Sequence, residues 1–399
     1  MALLDLHFDI QLQDLVTYAP KRNVGIRLTR VRMNLTMNKT NFCVCFLIIL
    51  LLFPSTGCRR DKVIDEIIVI SDMGFDLEDG KILGSATYPS LYIPGHKGPD
   101  VVHGIASTNT GILTSFNNQS ASPMEVGQTR IIVLNERLAQ KGIGDLITTL
   151  KRDPIIGSNT YLVISKDKAD QILSVSVGKT PFYLSNLIKQ NEENNNTPPT
   201  NLHSVFYQYY GTGQDVYIPF IKINKNKIVE LDGLAIFKQD KMKMKVSQKD
   251  SIFFKLLKSK KKNGNFEFPY SASGEKRMLD IRTVSGKSKF TISDQTSKQP
   301  KVNVTLRLSC IIKDAPEDIN LSDPKRMKSI QNQIEKRISK KTEDLISSLQ
   351  SKNTDPFGFG DLFRGRDRNW NEKEFYRIYP DIKIKVNAHV NLLQSGVGT

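Results

Sequence analysis

Residues that build catalytic and metal centres are sparse in this chain: four cysteines, five histidines and one tryptophan in 399 residues. Beyond residue 57 the histidines are His96, His103, His203 and His389. No two of them stand at the i, i+4 spacing of a helical zinc site, and none has a cysteine nearby, so no metal cluster is encoded locally. A Gly-x-Ser-x-Gly elbow, a P-loop and a dinucleotide fingerprint are all missing. Gly211 and Gly213 form an isolated pair, without the third glycine and following lysine that cradle a phosphate. No local motif therefore supports an enzyme or a cofactor. Long hydrophobic runs are absent too. The apolar run at residues 42–53 makes a helix of about 18 Å, far short of the roughly 30 Å core of a bilayer, which excludes a membrane span there.

What that run does fit is a signal peptide. It follows Lys39 and precedes Pro54, Ser55, Thr56, Gly57 and Cys58. A basic flank, a short apolar core and small residues before a cysteine form the cleavage signal of a bacterial lipoprotein. Cys58 is then the new N-terminus and the lipid-attachment residue. Ser55 stands three places before it, where leucine is usual. The charged stretch upstream, with Asp5, Asp9 and Asp14, is foreign to such signals. A start at Met33 or Met37 gives a signal of ordinary length, and a cytoplasmic extension is the alternative. Cys43 and Cys45 leave with residues 1–57 and Cys58 carries lipid, so Cys310 alone remains and no internal disulfide forms. Cys310 belongs to the alternation Val302, Val304, Leu306, Leu308, Cys310, Ile312 and points into a core, as free cysteines usually do.

After residue 57 the chain holds 51 basic and 38 acidic residues, a net charge of +13. An exported protein seldom meets nucleic acid, and none is expected as a partner. Membrane lipid is. Anionic headgroups attract each nearby Lys or Arg by about 1 kcal/mol, and Arg59 and Arg60 lie beside the anchor. Most other lysines read as a solvated face.

Period and turn signals give an α+β, multi-domain chain: a mixed α/β region over 58–220, with two subdomains as an option, and an α+β region over 221–399 in which an antiparallel sheet packs with a long helix. In the first, Asp79-Gly80 marks a hairpin, with Asp76, Glu78 and Asp79 as turn polars. A weak helix follows over 108–120. Residues 130–134 form a buried strand, and Asn135 caps a helix with apolar residues from Leu138 to Leu150. A strand over 160–165, a short helix over 167–173, a polar loop over 191–200 and a helix over 202–210 complete it. In the second region Lys241, Lys243 and Lys245 line the wet face of a strand. The basic run 258–262 reads as a loop, Asn263-Gly264 and Ser285-Gly286 as hairpin turns. Asp323-Pro324 starts a long helix whose stripe, Met327, Ile330, Ile334, Ile338, Leu345 and Leu349, is interrupted at Thr342. Asp355-Pro-Phe-Gly-Phe-Gly360 ends it in a tight turn, and 382–392 forms the last strand with His389 on its polar side.

In order along the chain, several of these segments resemble the C-subunit (GerAC-type) lipoproteins of bacterial spore germinant receptors. They are Cys58 followed by residues 65–70 and Gly74-Phe-Asp76; Ile131 to Leu134 running into Glu136, Gly142 and Arg152-Asp-Pro154; Asp232-Gly-Leu-Ala-Ile-Phe-Lys238; and Asp355-Pro-Phe-Gly-Phe-Gly360 with Trp370 and Tyr379-Pro380. Gln128 stands where many members have histidine. The resemblance implies a non-enzymatic scaffold or adaptor, anchored by diacylglycerol, with or without an N-acyl chain, on Cys58. It would act with two integral-membrane subunits at the outer face of the spore inner membrane, in nutrient-triggered germination. A lipid-anchored solute-binding protein and an exported cell-wall enzyme are the competing readings.

Overall fold

In a computed structural model the protein is described over residues 66–89, 99–180, 182–194, 197–260, 262–272, 275–293, 300–317 and 319–393. Cys58, the apolar run, both candidate start residues and His96 lie outside the described residues. All described residues belong to one compact unit, Lys62–Thr399.

An eight-stranded sheet, in the order β10-β9-β8-β7-β6-β2-β3-β4, organises its first part. The hairpin β2 (Asp72–Glu78) and β3 (Lys81–Pro89) closes through Asp79 and Gly80, both at positive φ, as a two-residue primed turn requires. Beyond it lies the edge strand β4 (Pro99–Ala106). On the other side β2, β6 (Ile131–Asn135), β7 (Tyr161–Ser165) and β8 (Tyr217–Ile223) run parallel, and β9 (Val229–Lys238) and β10 (Lys241–Ser247) add antiparallel. A short parallel pair, β1 (Ile68–Val69) and β5 (Met124–Glu125), flanks the sheet.

The unbroken apolar run of β6 follows from burial on both faces. Ile132 and Leu134 enter one core and Ile131 and Val133 another. The first core takes α1 (Asn109–Asn117), α2 (Glu136–Lys141), α3 (Gly144–Arg152) and α6 (Leu202–Tyr210); the second takes α4 (Ala169–Ser176) and α5 (Tyr183–Asn194). The single helix expected across 138–150 is two helices. Gly142, at φ 140°, breaks it, and Ile143 N–H donates to the Asp240 carbonyl at 2.9 Å. The apolar spacing continues across the break, which hid it. The polar stretch expected as a loop from residue 191 begins as the last turn of α5, with Glu192 buried.

The second sheet runs β11 (Gly264–Ala272), β12 (Glu275–Ser293), β13 (Lys301–Asp314), β14 (Lys383–Leu392). Its first three strands are antiparallel, as expected, but β14 pairs parallel with β13. The cause is α8 (Pro324–Ser351): its 28 residues span about 42 Å and return the chain to the end where β13 began. Ser285-Gly286 lies inside β12 rather than at a turn, paired with Ser309 and Leu308 just after a register shift that leaves Val284 as the extra residue. Gly264 opens β11 instead of closing a hairpin.

Helix α7 (Ser251–Lys258) sits between the sheets with almost every residue buried. The basic run expected on a loop is partly internal: Lys262 is buried and its Nζ donates to Ser288 Oγ at 3.0 Å. Lys255, on α7 itself, is also buried and donates to the Glu192 carbonyl at 3.1 Å. The core around α7 is shared. Tyr217, Leu234 and Ile236 of the first sheet and Phe268, Leu306 and Ile338 of the second part all belong to it. Cys310 lies in the same core, its thiol pushed up to about 12 by burial.

Candidate functional site

The chain segment after α8 folds back onto the first sheet through a buried polar junction. Asp355 opens the Asp-Pro-Phe-Gly-Phe-Gly turn and is fully buried. Its carboxylate accepts from Gly358 N–H at 3.0 Å and Gly360 N–H at 2.8 Å, so it staples its own turn. Gly358 is at φ 81°, a conformation glycine adopts without strain. The motif is a structural turn, as expected, with Phe357 and Phe359 directed into the core. Phe357 lies 4.7 Å from Phe254 of α7, and Phe359 packs on Tyr379.

Asp215, just before β8, is the hub. Its Oδ2 accepts from Asp355 N–H at 2.7 Å, from Tyr376 Oη–H at 3.1 Å on α10 (Glu372–Ile378), and from Lys238 Nζ at 3.2 Å on β9. Asp215 N–H in turn donates to the Asp355 carbonyl at 2.8 Å. Lys238 Nζ also lies over the Tyr376 ring, 2.8 Å from its centroid. Gly213 carries the backbone past α9 (Phe359–Arg364): its carbonyl accepts from Asp361 N–H at 2.9 Å and its N–H donates to Glu372 Oε1 at 3.1 Å. At φ 78° a Cβ on Gly213 would meet Asp361 N at 2.5 Å.

Burial governs the electrostatics. It pushes the Asp355 carboxyl up to about 7, against the opposing N–H groups of Gly360 and Phe359. It also raises Asp215, which the Lys238 charge opposes, and it lowers Lys238. Lys258, at the end of α7, is brought down to about 8 by burial, with Asp355 and Asp361 opposing. Backbone amides and side chains of the two segments are joined through Asp215 and Asp355. The arrangement tethers the tail to the first sheet.

None of the other singled-out residues joins this junction. His103 sits 3.3 Å from Asp170 on the surface, and His203 and His389 are exposed. Asp76 was expected as a turn polar; instead it is buried, and its carboxylate accepts from Ala169 and Asp170 N–H at 2.8 and 3.1 Å, capping α4. Negative charge at a helix N-terminus is favourable. Lys241, Lys243 and Lys245 are exposed, with Lys245 paired to Asp232. Among the described residues no cluster of His, Cys, Asp or Glu is placed to hold a metal. Asp215 and Tyr376 were not anticipated, and Lys238 was anticipated only as the end of the Asp232–Lys238 segment; their contact joins distant parts of the chain that only the fold brings together.

Comparison with known proteins bears directly on the tail and sheet so joined. The family model for the spore germination protein N-terminal domain matches residues 60–223, and that for the spore germination B3/GerAC-like C-terminal domain matches residues 232–396. The chain belongs to the GerAC-type spore germination protein family. Spore germination protein GerQC of Bacillus cereus is 33% identical over 347 residues, 86% of this chain and 95% of that protein. Spore germination protein KC of Bacillus subtilis (strain 168) is 21% identical over 405 residues, 90% of this chain and 97% of the relative. The crystal structure of the GerBC protein shares the fold, with a TM-score of 0.53 at 16% identity over 81% of this chain and 97% of that one. The two family matches meet at β8 and β9, the strands that carry Asp215 and Lys238 to the tail. Among the described residues no helix is long and apolar enough to cross a membrane.

Proposed function

We propose that the chain is the lipid-anchored C subunit of a nutrient-germinant receptor, a non-enzymatic adaptor held by diacylglycerol on Cys58 beside two integral-membrane subunits at the outer face of the spore inner membrane. The observation that carries this reading is the family match over both parts of the chain, beginning at residue 60, two positions after the candidate lipid-bearing cysteine. The junction supports it: a tail fastened into a sheet by buried hydrogen bonds makes one stiff body, suited to positioning partners. Two or more acyl chains give durable anchoring where one is marginal. Co-purification from spore membranes tests the assembly; two multi-span proteins should accompany the chain, and their absence would refute the adaptor role. Cys58→Ala should move the chain to the soluble fraction and slow nutrient germination. Normal fractionation and response in that variant would remove the lipid from the account.

A further inference from the structure

The outward face of the second sheet carries a field of positive charge along part of its length. Register sets Lys287 beside Arg307 and Arg307 beside His389, one strand apart in each case, with Lys289 next along β12. Further along, β14 adds Lys383 and Lys385, the latter beside Asn303. Residues 285–293, 301–311 and 383–392 contain no Asp or Glu. Among the described residues Lys287, Lys289, Arg307, Lys383 and Lys385 form no ion pair, and all five are exposed. Like charges directly opposite on neighbouring strands, about 5 Å apart, disfavour the sheet, and they lie within a Debye length of about 10 Å, so their fields add. Such an arrangement calls for an external anion.

The composition of the face decides which kind. Protein interfaces are enriched in aromatic residues and arginine and depleted in lysine; over residues 285–293, 301–311 and 383–392 Lys, Asn, Thr and Ser surround a single Arg, and no aromatic side chain of β13 or β14 points outward. The contrast with the other wet sheet face is informative, because there Lys222 and Lys245 are neutralised by Asp232. We infer that the exposed face of β12, β13 and β14 adsorbs to an anionic lipid surface and lays the second sheet against the headgroups. The inference rests on the proposed lipid anchor only for bringing the chain to a membrane.

Amine acylation read by mass spectrometry tests it on the full chain, with Cys58 and as Cys58→Ala, mixed with vesicles of phosphatidylcholine alone or with added phosphatidylglycerol. On the mixed vesicles at low salt Lys287, Lys289, Lys383 and Lys385 should be acylated several-fold more slowly than on phosphatidylcholine, with recovery at high salt. Lys241 and Lys243 should be unchanged. A chain carrying Lys287→Gln, Lys289→Gln, Lys383→Gln and Lys385→Gln should keep its melting temperature and lose about fivefold in anionic-lipid partitioning for each lysine removed. Equal acylation of the four lysines on both vesicle types overturns the proposal, as does failure of Cys58→Ala to adsorb on mixed vesicles. So does shielding by an acidic protein where the vesicles give none. The anchor is judged separately, by whether Cys58 and Cys58→Ala chains differ on phosphatidylcholine alone.

Discussion

The eight-stranded sheet is covered by helices on both faces, and β6 alternates its side chains between two cores. The four-stranded sheet is covered on one face and leaves the other to solvent, charged and basic. Their edges differ in the same sense. At β4 the cover is partial: Ile105 N–H donates to Ser115 Oγ at 3.3 Å, and Gln119 donates to the His103 carbonyl at 2.7 Å. At β14 a single helix closes a whole row. Val386, Ala388 and Val390 N–H donate to Glu343, Ser339 and Glu335 of α8, at 2.8, 2.9 and 2.8 Å. Four helical residues rise about 6 Å and two strand residues about 6.6 Å, so side chains four apart on α8 meet every second N–H of the strand. An exposed row of this kind is a template for pairing with another chain. The second sheet therefore offers partners its face and withholds its β14 edge.

The junction is where the contrast is most easily broken. Asp215→Ala removes the acceptor for three donors and leaves Lys238 half-buried beside an aromatic ring, a change of the kind that costs about 3–5 kcal/mol. Urea unfolding followed by tyrosine fluorescence should show a lower midpoint and, if this hub is what makes the two sheets unfold together, two transitions where the parent has one. A single transition displaced by a fraction of a kcal/mol would mean that the shared apolar core around α7 suffices.

Acid dependence separates the same two parts. Asp72 under the first sheet is raised to about 6, and Glu192 and Asp355 are raised to about 7, in each case by burial. In the unfolded chain such carboxyls release their protons near pH 4. Between there and about pH 7 the folded state binds more protons, so stability contributed by these groups is full below about pH 4 and declines as the pH rises to about 7. Melting temperature should fall across that window, and Asp355→Asn should flatten the fall while lowering stability at acid pH. An unchanged slope would assign the effect to Asp72 and Glu192.

Closing the edge is worth less. Ser339→Ala leaves Ala388 N–H without its acceptor, which costs about 1–3 kcal/mol for a fully buried group and should fall at the low end beside solvent. Sedimentation velocity adds the sharper reading, because an opened β14 edge should promote association at concentrations where the parent stays monodisperse.

Legibility in the sequence followed the range of the interactions. The strands at β6, β13 and β14, the Asp79-Gly80 hairpin, the Asn135 cap and the start of α8 at Asp323 rest on neighbours or on a simple period, and all appear where the residues place them. Asn135 accepts from Arg137 N–H and Asp323 from Lys325 N–H, within two positions. What was misread depends on distant partners. Gly142 breaks a helix because the β9–β10 turn reaches the backbone beside it, Lys262 is internal because the chain leaving α7 is held between the sheets, and β14 is parallel because α8 is as long as it is. Asp215 and Tyr376 are 161 residues apart, and no local pattern announces such a contact.

Thr342 was legible as an interruption of the α8 stripe, and the structure gives the interruption a consequence. Its side chain is fully buried with no hydrogen-bond partner for the hydroxyl among the described residues, between Ile338 and Leu345, which enter the core. A buried hydroxyl left unpaired costs about 1–3 kcal/mol, whereas valine keeps the shape, fits the helix in its preferred rotamer and has nothing to satisfy. Thr342→Val should therefore raise stability by about 1 kcal/mol, seen as a higher urea midpoint at unchanged m-value. Because α8 holds the β14 edge through Glu335, Ser339 and Glu343 on a different stripe, the gain should leave association unaffected, unlike Ser339→Ala. A loss instead of a gain would mean that the hydroxyl has a partner in solution, and the α8 stripe would then be interrupted for a reason other than packing.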